Sequence, residues 1–319
     1  MDPKVYVTRM LPRAAMDALG AGCGYDVNEH PRPVTREELI EGVRGREAVL
    51  CMLSDRIDAE VLRAAGPQCK IFANYAVGYD NIDVAEAKRL GIMVTNTPDV
   101  LTCATADMAW ALLFAAARHI PAGDRLMRAG TFSWAPEFML GSDITGRTLG
   151  VIGAGRIGRD FARKARHGFD MTVLYSGRHP SPDFEAQTDG RFVPLDELLR
   201  SSDFVSLHVP LTPETRHMIG ERELAMMKPS AILVNTSRGP VVDEKALARA
   251  LKDGTIRAAG LDVYEREPEV EPELKALDNV ALAPHLGSAT IQTRSDMGLM
   301  AVRNILAALN GEEPPNRVA

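Results

Sequence analysis

The sequence predicts an α/β protein of two parallel-sheet domains, one inserted into the other. Three observations carry this prediction. Strand-like and helix-like segments alternate through the first hundred residues, and again from residue 148 to residue 283. Between these runs, an apolar stretch at 149–152 enters the turn Gly153-Ala-Gly155-Arg-Ile-Gly158 and leaves it as a helix pattern, Ile157, Phe161, Ala162 and Ala165. After the second run, a long helix pattern at 290–309 returns the chain to the first domain. The expected division is residues 1–98 with 288–319, and residues 99–287, the latter carrying an arm at about 120–146. A chain of 319 residues is long enough for two domains of ordinary size.

In the first run, strands are expected at 5–8, 48–53, 70–75 and 92–95, and helices at 12–19, 36–43, 59–65 and 84–90. Thr35, with Glu38 three residues on, reads as a capping box for the helix at 36–43. A long helix is expected from Thr102 to about His119, continuing at 123–128. The irregular arm from Gly130 to Gly146 follows, holding Trp134 and Phe138. In the second run, strands are expected at 171–175, 204–208, 231–235, 259–262 and 280–283. Helices are expected at 196–201, 214–219, 221–227 and 243–252.

Composition narrows the function classes. A hydrophobic fraction of 45% and a charged fraction of 25% are those of a globular protein in water. The net charge of −6 and the lack of a dense Lys/Arg block argue against nucleic acid or a membrane surface as partner. The start of the chain lacks a signal peptide's basic and apolar segments, and the longest apolar run, 108–117, is too short to span a bilayer. Cys23, Cys51, Cys69 and Cys103 have no metal-ligand spacing, so no metal is expected. Reduced thiols and a cytoplasmic location are expected.

The glycine turn fits a dinucleotide. Gly153 allows the tight turn, Gly155 lets backbone approach a pyrophosphate, and Gly158 lets helix pack on strand. The helix N-terminus offers unpaired N–H groups and partial positive charge to phosphates. In NAD-preferring folds a carboxylate ends the next strand and bonds the ribose 2′-OH. Here Ser176 holds that place, 18 residues past Gly158, followed by Gly177, Arg178 and His179. A cation without a carboxylate favours NADP(H) over NAD(H), because a guanidinium matches a phosphate. The opposing view is that Arg178 is a solvated loop residue, and Asp183 and Glu185 lie close enough in sequence to serve as the carboxylate.

Three segments place polar residues just past expected strands: Asn235-Thr236-Ser237-Arg238-Gly239, Asp262-Val-Tyr-Glu-Arg-Glu267-Pro268, and Pro284-His285-Leu-Gly287-Ser288. Ligands gather at such strand ends. Arg can clamp a carboxylate and polarise a ketone. His can pass a proton to the forming alkoxide, and Glu can hold the His ring in its protonated form. Taken singly, each also reads as an ordinary loop residue. His208, at the end of another strand, is a rival His, and Glu265, Glu269 and Glu271 read as surface residues.

These segments resemble the D-isomer-specific 2-hydroxyacid dehydrogenase family. The resemblance spans nearly the whole chain. It includes residues 74–83, Thr102-Cys-Ala-Thr105-Ala-Asp107, the glycine turn, Val209-Pro210-Leu-Thr212 and the three strand-end segments. Ser176-Gly-Arg178 and the arm around Trp134 look most like the glyoxylate/hydroxypyruvate reductase branch. The resemblance implies two Rossmann-like or flavodoxin-like domains, with the nucleotide domain inserted into the substrate domain. It implies reduction of glyoxylate or hydroxypyruvate to glycolate or D-glycerate, with NADP(H) preferred and NAD(H) possible. It also implies a homodimer joined through the arm.

Residue by residue, the resemblance implies that His285 is the general acid/base, Glu267 its partner, and Arg238 the clamp for the 2-oxo acid. Val77 and Gly78 offer backbone N–H groups to the substrate carboxylate, with Leu53 and Ser288 beside them. Trp134 reaches the partner subunit's active site. Thr236 and Asp262 orient the nicotinamide end, with Ser237, Arg238, His285 and Gly287 also touching the cofactor. Thr105, Arg156, Ile157, Pro210 and Thr215 flank phosphates and adenosine. One departure from the family pattern is Cys103, where many relatives carry Glu; it touches no catalytic role. The chain ends soon after the closing helix, which weakens a phosphoglycerate dehydrogenase reading. An NAD-dependent dehydrogenase of another D-2-hydroxy acid (lactate, phosphoglycerate or a phosphonate-like acid) remains open. So does an NAD(H)-sensing co-repressor-like protein.

Overall fold

The computed structural model describes residues 4–319; residues 1–3, assigned above to the substrate domain, lie outside the described residues. The chain first alternates β1 (Val5–Val7), α1 (Arg13–Gly22), β2 (Tyr25–Val27), α2 (Arg36–Val43) and β3 (Ala48–Cys51). It continues through α3 (Ala59–Ala65), β4 (Ile71–Asn74), α4 (Val84–Arg89) and β5 (Met93–Thr95). The strands form a parallel sheet in the order β2-β1-β3-β4-β5. β3 and β4 are buried along their whole length, as parallel strands covered on both faces must be. β2 escaped the sequence analysis, because two half-buried residues flanking the exposed Asp26 carry no apolar run. α2 begins with the expected capping box. Thr35 Oγ1 accepts from Glu38 N at 3.2 Å, and Glu38 Oε2 accepts from Thr35 N at 2.8 Å. Such a cap stabilises a helix by about 1 kcal/mol.

The chain then runs through α5 (Thr102–Ala117), α6 (Ile120–Ala129), β6 (Thr148–Ile152), α7 (Arg156–Phe169) and β7 (Thr172–Ser176). It goes on through α8 (Pro182–Thr188), β8 (Arg191–Phe192), α9 (Leu195–Ser201), β9 (Phe204–Leu207), α10 (Glu221–Met226) and β10 (Ile232–Asn235). α11 (Glu244–Lys252), β11 (Ala258–Leu261), α12 (Pro272–Lys275) and β12 (Val280–Leu282) complete this part. The second sheet is parallel, ordered β12-β11-β10-β9-β6-β7-β8. α5 is apolar on nearly every face and packs against α7, β10, β11 and β12. A helix without a polar face belongs in a core. The break between α5 and α6 sits at His119, whose φ is +53°.

α13 (Ile291–Leu309), capped by Thr290, packs on α1, β3 and β4 of the first unit. The tail then pairs along β5, with Val94 N donating to Ala319 O at 3.0 Å and Val318 N to Val94 O at 2.8 Å. This covers an open sheet edge. Contacts divide the described chain into two compact units, one up to Leu101 together with Ala289–Ala319, the other Thr102–Ser288. The first boundary therefore falls at the N-terminus of α5, not after residue 98, and Ser288 goes with the second unit.

The helix expected at 214–219 is absent; residues 213–217 form turns and Ile219 bridges to Val242. Thr215 Oγ1 accepts from Thr212 N at 2.8 Å and donates to Pro210 O at 2.7 Å, so hydroxyls satisfy the backbone without a helix. α8 and β8 escaped the sequence analysis because they are short and polar.

Candidate active site

The glycine turn lies where the strand order of the second sheet reverses, between β6 and β9, which is where such sheets bind ligands. Gly153 has φ +104°, and a Cβ there would lie 2.6 Å from His208 O. A Cβ at Gly158 would overlap Gly153 O, so helix and turn meet backbone to backbone. Gly155 differs, because a Cβ there would meet nothing within 4 Å. It opens onto free space at the N-terminus of α7, which no side chain caps. The turn is thus shaped for a pyrophosphate, with backbone N–H groups at a helix start facing an open side. Arg156 is exposed and Ile157 half-buried on the first turn of the helix.

β7 ends in Ser176, nearly buried, with Gly177 and Arg178 exposed after it. The two carboxylates nearest in sequence differ in their surroundings. Tyr175 OH donates to Glu185 Oε1 at 2.6 Å, and Asp183 faces Arg159 at 3.8 Å on the first turn of α8. On the neighbouring turn, the Glu214 carboxyl is held below its usual range, chiefly by the Thr212 hydroxyl and further by the charge of Arg178. Arg178 and the Pro210–Thr215 turn therefore lie within electrostatic reach of one another.

At the ends of β10, β11 and β12, adjacent strands in the sheet, the structure brings Arg238, Asp262, Glu267 and His285 together. Asn235 folds the first turn. Its Oδ1 accepts from Ser237 N at 3.0 Å and Ser237 Oγ at 2.7 Å, and its Nδ2 donates to Arg238 O at 3.0 Å. Arg238 itself donates to Ser237 O at 2.9 Å. A Cβ at Gly239 would overlap the Tyr264 carbonyl, so only glycine lets this turn pack against the segment carrying Glu267. Thr236 Oγ1 is buried with no partner, a polar atom free to meet a bound group.

Asp262 closes the other side. Its carboxylate accepts from Leu286 N at 2.6 Å and Gly287 N at 2.7 Å, and its carbonyl accepts from His285 N at 2.9 Å. Burial pushes the Asp262 carboxyl up despite these bonds. The residue thus pins the loop on which His285 sits with φ +55°. Thr105, almost buried, approaches Gly287.

His285 Nδ1 lies 2.8 Å from Glu267 Oε2, and Glu267 Oε1 accepts from Tyr264 N at 3.0 Å. Burial pushes the Glu267 carboxyl up, but the bond and charge of His285 outweigh it, so the net shift is downward. An ionised carboxylate accepts only, so Nδ1 carries the proton of this bond. Nε2 is then the ring nitrogen outside this bond. Tyr264 escaped the sequence analysis. Its hydroxyl donates to Ala283 O at 2.9 Å, tying the Glu267 segment to the strand before His285.

Glu265 is not the surface residue expected. Its side chain is 19% exposed, accepts from Glu244 N at 3.0 Å and meets His217 Nε2 at 3.1 Å. Glu271, 14% exposed and facing Arg266, is also partly buried, whereas Glu269 is exposed. The three residues share a sequence character, but only the packing of α11 and the 216–219 turn decides which are covered.

His208 faces inward, 2.9 Å from Ser206 Oγ and against Phe161, and burial pushes its ring down to about 3. It stays neutral and structural. Its folded value lies below the ordinary 6.5, so its contribution is complete above pH 6.5 and is lost as pH falls toward 3. His208→Gln should therefore show a smaller drop in Tm between pH 7 and pH 4.5 than the parent. Equal drops would assign the acid sensitivity to other groups.

The remaining candidates lie elsewhere. Leu53, Val77 and Gly78 belong to the first unit, on the loops after β3 and β4; Leu53 is 38% exposed. Ser288 is half-buried at the end of the second unit. Trp134, 74% exposed, stands on the arm with Phe132, Phe138 and Leu140 also exposed.

Comparison with known proteins agrees with this geometry. Residues 110–287 match the family model described as D-isomer specific 2-hydroxyacid dehydrogenase, NAD binding domain. The chain is 52% identical to a glyoxylate reductase of Thermococcus onnurineus, over 100% of this chain and 96% of that protein. The crystal structure of the TT0316 protein from Thermus thermophilus superposes with a TM-score of 0.92 at 44% identity, covering 99% of each chain. An NADPH-dependent glyoxylate/hydroxypyruvate reductase from Sinorhizobium meliloti superposes with a TM-score of 0.85 at 32% identity, over 99% of this chain and 98% of that one. A strand-end Arg, Glu and His beside an open glycine turn thus accompany similarity along the whole chain, and the protein belongs to the D-isomer specific 2-hydroxyacid dehydrogenase family.

Proposed function

We propose that the protein reduces a small 2-oxo acid, glyoxylate or hydroxypyruvate, to the corresponding 2-hydroxy acid, with NADP(H) preferred over NAD(H). The observation that carries this is the His285–Glu267 pair at 2.8 Å, with Arg238 on the adjacent strand end. Those groups suit a substrate with a carboxylate, an adjacent carbonyl and a need for one proton. The glyoxylate reductases among the relatives support the substrate class.

In this mechanism Arg238 clamps the carboxylate and draws charge toward the keto oxygen. The N–H groups of Val77 and Gly78 share the carboxylate, with Leu53 and Ser288 beside it. When bound, the dinucleotide supplies the hydride that reaches C2. His285 gives its Nε2 proton to the oxygen, so the C2 carbonyl becomes a hydroxyl. Glu267 keeps the ring oriented and balances its charge before the proton leaves. Arg238 contributes most as negative charge builds on the oxygen. Gly153, Gly155 and Gly158 with Arg156 and Ile157 would hold the pyrophosphate. Thr236, Ser237, Asp262 and Gly287 would face the nicotinamide end, and Thr105, Pro210 and Thr215 would flank the rest. Ser176, Gly177 and Arg178 would take the 2′-phosphate.

The first unit is assigned the substrate contacts of Leu53, Val77 and Gly78, and the second the dinucleotide together with Arg238, Glu267 and His285. The arm joins two copies as a homodimer, bringing Trp134 to the partner's site; its exposed apolar side chains are what a second copy would cover. The cytoplasm suits four free cysteines, three of them buried. No helix among the described residues is long and apolar enough to cross a membrane.

The test mixes the purified protein with glyoxylate or hydroxypyruvate and follows loss of NADPH or NADH absorbance. Rapid oxidation, faster with NADPH, is expected. No oxidation with either coenzyme would point to another acid or to a sensing role, and sedimentation as a monomer would remove Trp134 from the site.

A further inference from the structure

The loop after β4 shows how its N–H groups come to be available. Three successive carbonyls are tied down within the first unit. Ala76 O accepts from Thr97 N at 2.9 Å. Val77 O accepts from Asn96 Nδ2 at 2.8 Å, and Gly78 O from Asn74 Nδ2 at 2.8 Å. These peptides are trans, so each C=O and the N–H of the same unit point in opposite directions. Holding the carbonyls of residues 76, 77 and 78 therefore turns the N–H groups of Val77, Gly78 and Tyr79 the other way. None of those three N–H groups has an acceptor among the described residues. Unpaired donors held in order form a binding surface for an anion.

Asn96 is itself anchored. It is 9% exposed, its N–H donates to Asn316 O at 3.3 Å, and its carbonyl accepts from Asn304 Nδ2 at 3.5 Å. Asn304 is fully buried and its Oδ1 accepts from Asn316 N at 3.2 Å. Asn74, also fully buried, shares a further bond with Asn81, whose Nδ2 reaches Met52 O at 3.1 Å and Asp55 O at 3.0 Å. The same amide network thus joins the loop carrying Leu53 to the loop carrying Val77 and Gly78.

We propose that Asn96 is a positioning residue for substrate: its side-chain amide holds the Val77 carbonyl so that the Gly78 N–H meets the substrate carboxylate. This rests on the 2-oxo acid reductase proposed above. Asn is suited because it offers a neutral donor. Aspartate would set a carboxylate against the Val77 carbonyl, and alanine would leave that carbonyl free to turn.

Asn96→Ala and Asn96→Asp are compared with the parent on glyoxylate, hydroxypyruvate and pyruvate, reading KM, kcat and coenzyme Kd. KM should rise tenfold or more, by a similar factor for all three acids, because they share the carboxylate. kcat should stay within threefold and coenzyme Kd unchanged, the signature of lost uniform binding. Asn96→Asp, equal in size to the parent residue, decides the matter if Asn96→Ala does not fold. An active parent whose KM is unchanged in the variants overturns this inference alone, as does a KM effect that differs with the acid's side chain. A parent that reduces no 2-oxo acid overturns both this inference and the proposed function.

Discussion

Arg238→Ala and His285→Ala should each lower kcat/KM with a 2-oxo acid by about two to four orders of magnitude while coenzyme binding survives. The two losses have different origins. Without His285, nothing at the end of β12 can deliver a proton to the new alkoxide; water must do so. Without Arg238, both the carboxylate and the developing oxyanion lose their cation. A thousandfold loss corresponds to about 4 kcal/mol of transition-state stabilisation, within the range of removing one preorganised donor. The glycine turn and the β7 terminus belong to other strands of the sheet, so coenzyme Kd measured by fluorescence should change little. The support of the loops predicts the same separation. His285 is held by its backbone to Asp262, and the Arg238 turn by the Asn235 side chain, so alanine at either position leaves these bonds in place, although Arg238→Ala loses the bond to Ser237 O. Near-normal turnover in either variant would remove that residue from the chemistry.

Arg178→Ala should lower kcat/KM for NADPH by about tenfold to a hundredfold and leave NADH within about threefold, since charge-assisted guanidinium–phosphate bonds are the strong ones. Adding Ser176→Asp should invert the preference, because a carboxylate at the end of β7 repels a phosphate and accepts from a ribose 2′-OH. Of the two acids nearest in sequence, Glu185 accepts from Tyr175 OH, and Asp183 is exposed on α8 with Arg159 3.8 Å away. Faster turnover of NADH by the unaltered protein would sink the coenzyme preference and leave the enzyme class intact.

Much of this site was legible because its signals are local. The glycine turn needs only a strand before it and a helix after it, both marked by periodicity. The Thr35 cap needs four consecutive residues. Arg238, Glu267 and His285 each come after a short apolar run that reads as a buried strand in the βα alternation. The choice of Glu267 over Glu265 was different, since both carboxylates sit in one acidic stretch. It came from the family resemblance, and composition alone would not have made it. In the fold, Glu265 turns to His217 and the α11 N-terminus, while Glu267 turns to His285.

The sequence by itself determined the alternation of strands and helices, the position of the dinucleotide turn and the residue types at the strand ends. These follow from short-range sterics and from burial on both faces of a parallel sheet. Tertiary structure alone decided which polar groups are left free. Asn74 and Asn96, separated by a helix and a strand, meet the carbonyls of one loop. Tyr264 and Asp262 tie two strand ends to the His285 loop, and paired threonine hydroxyls replace a helix at 214–219. Each of these is a hydrogen bond whose partner is fixed by the path of the chain between, and no spacing in the sequence encodes that path.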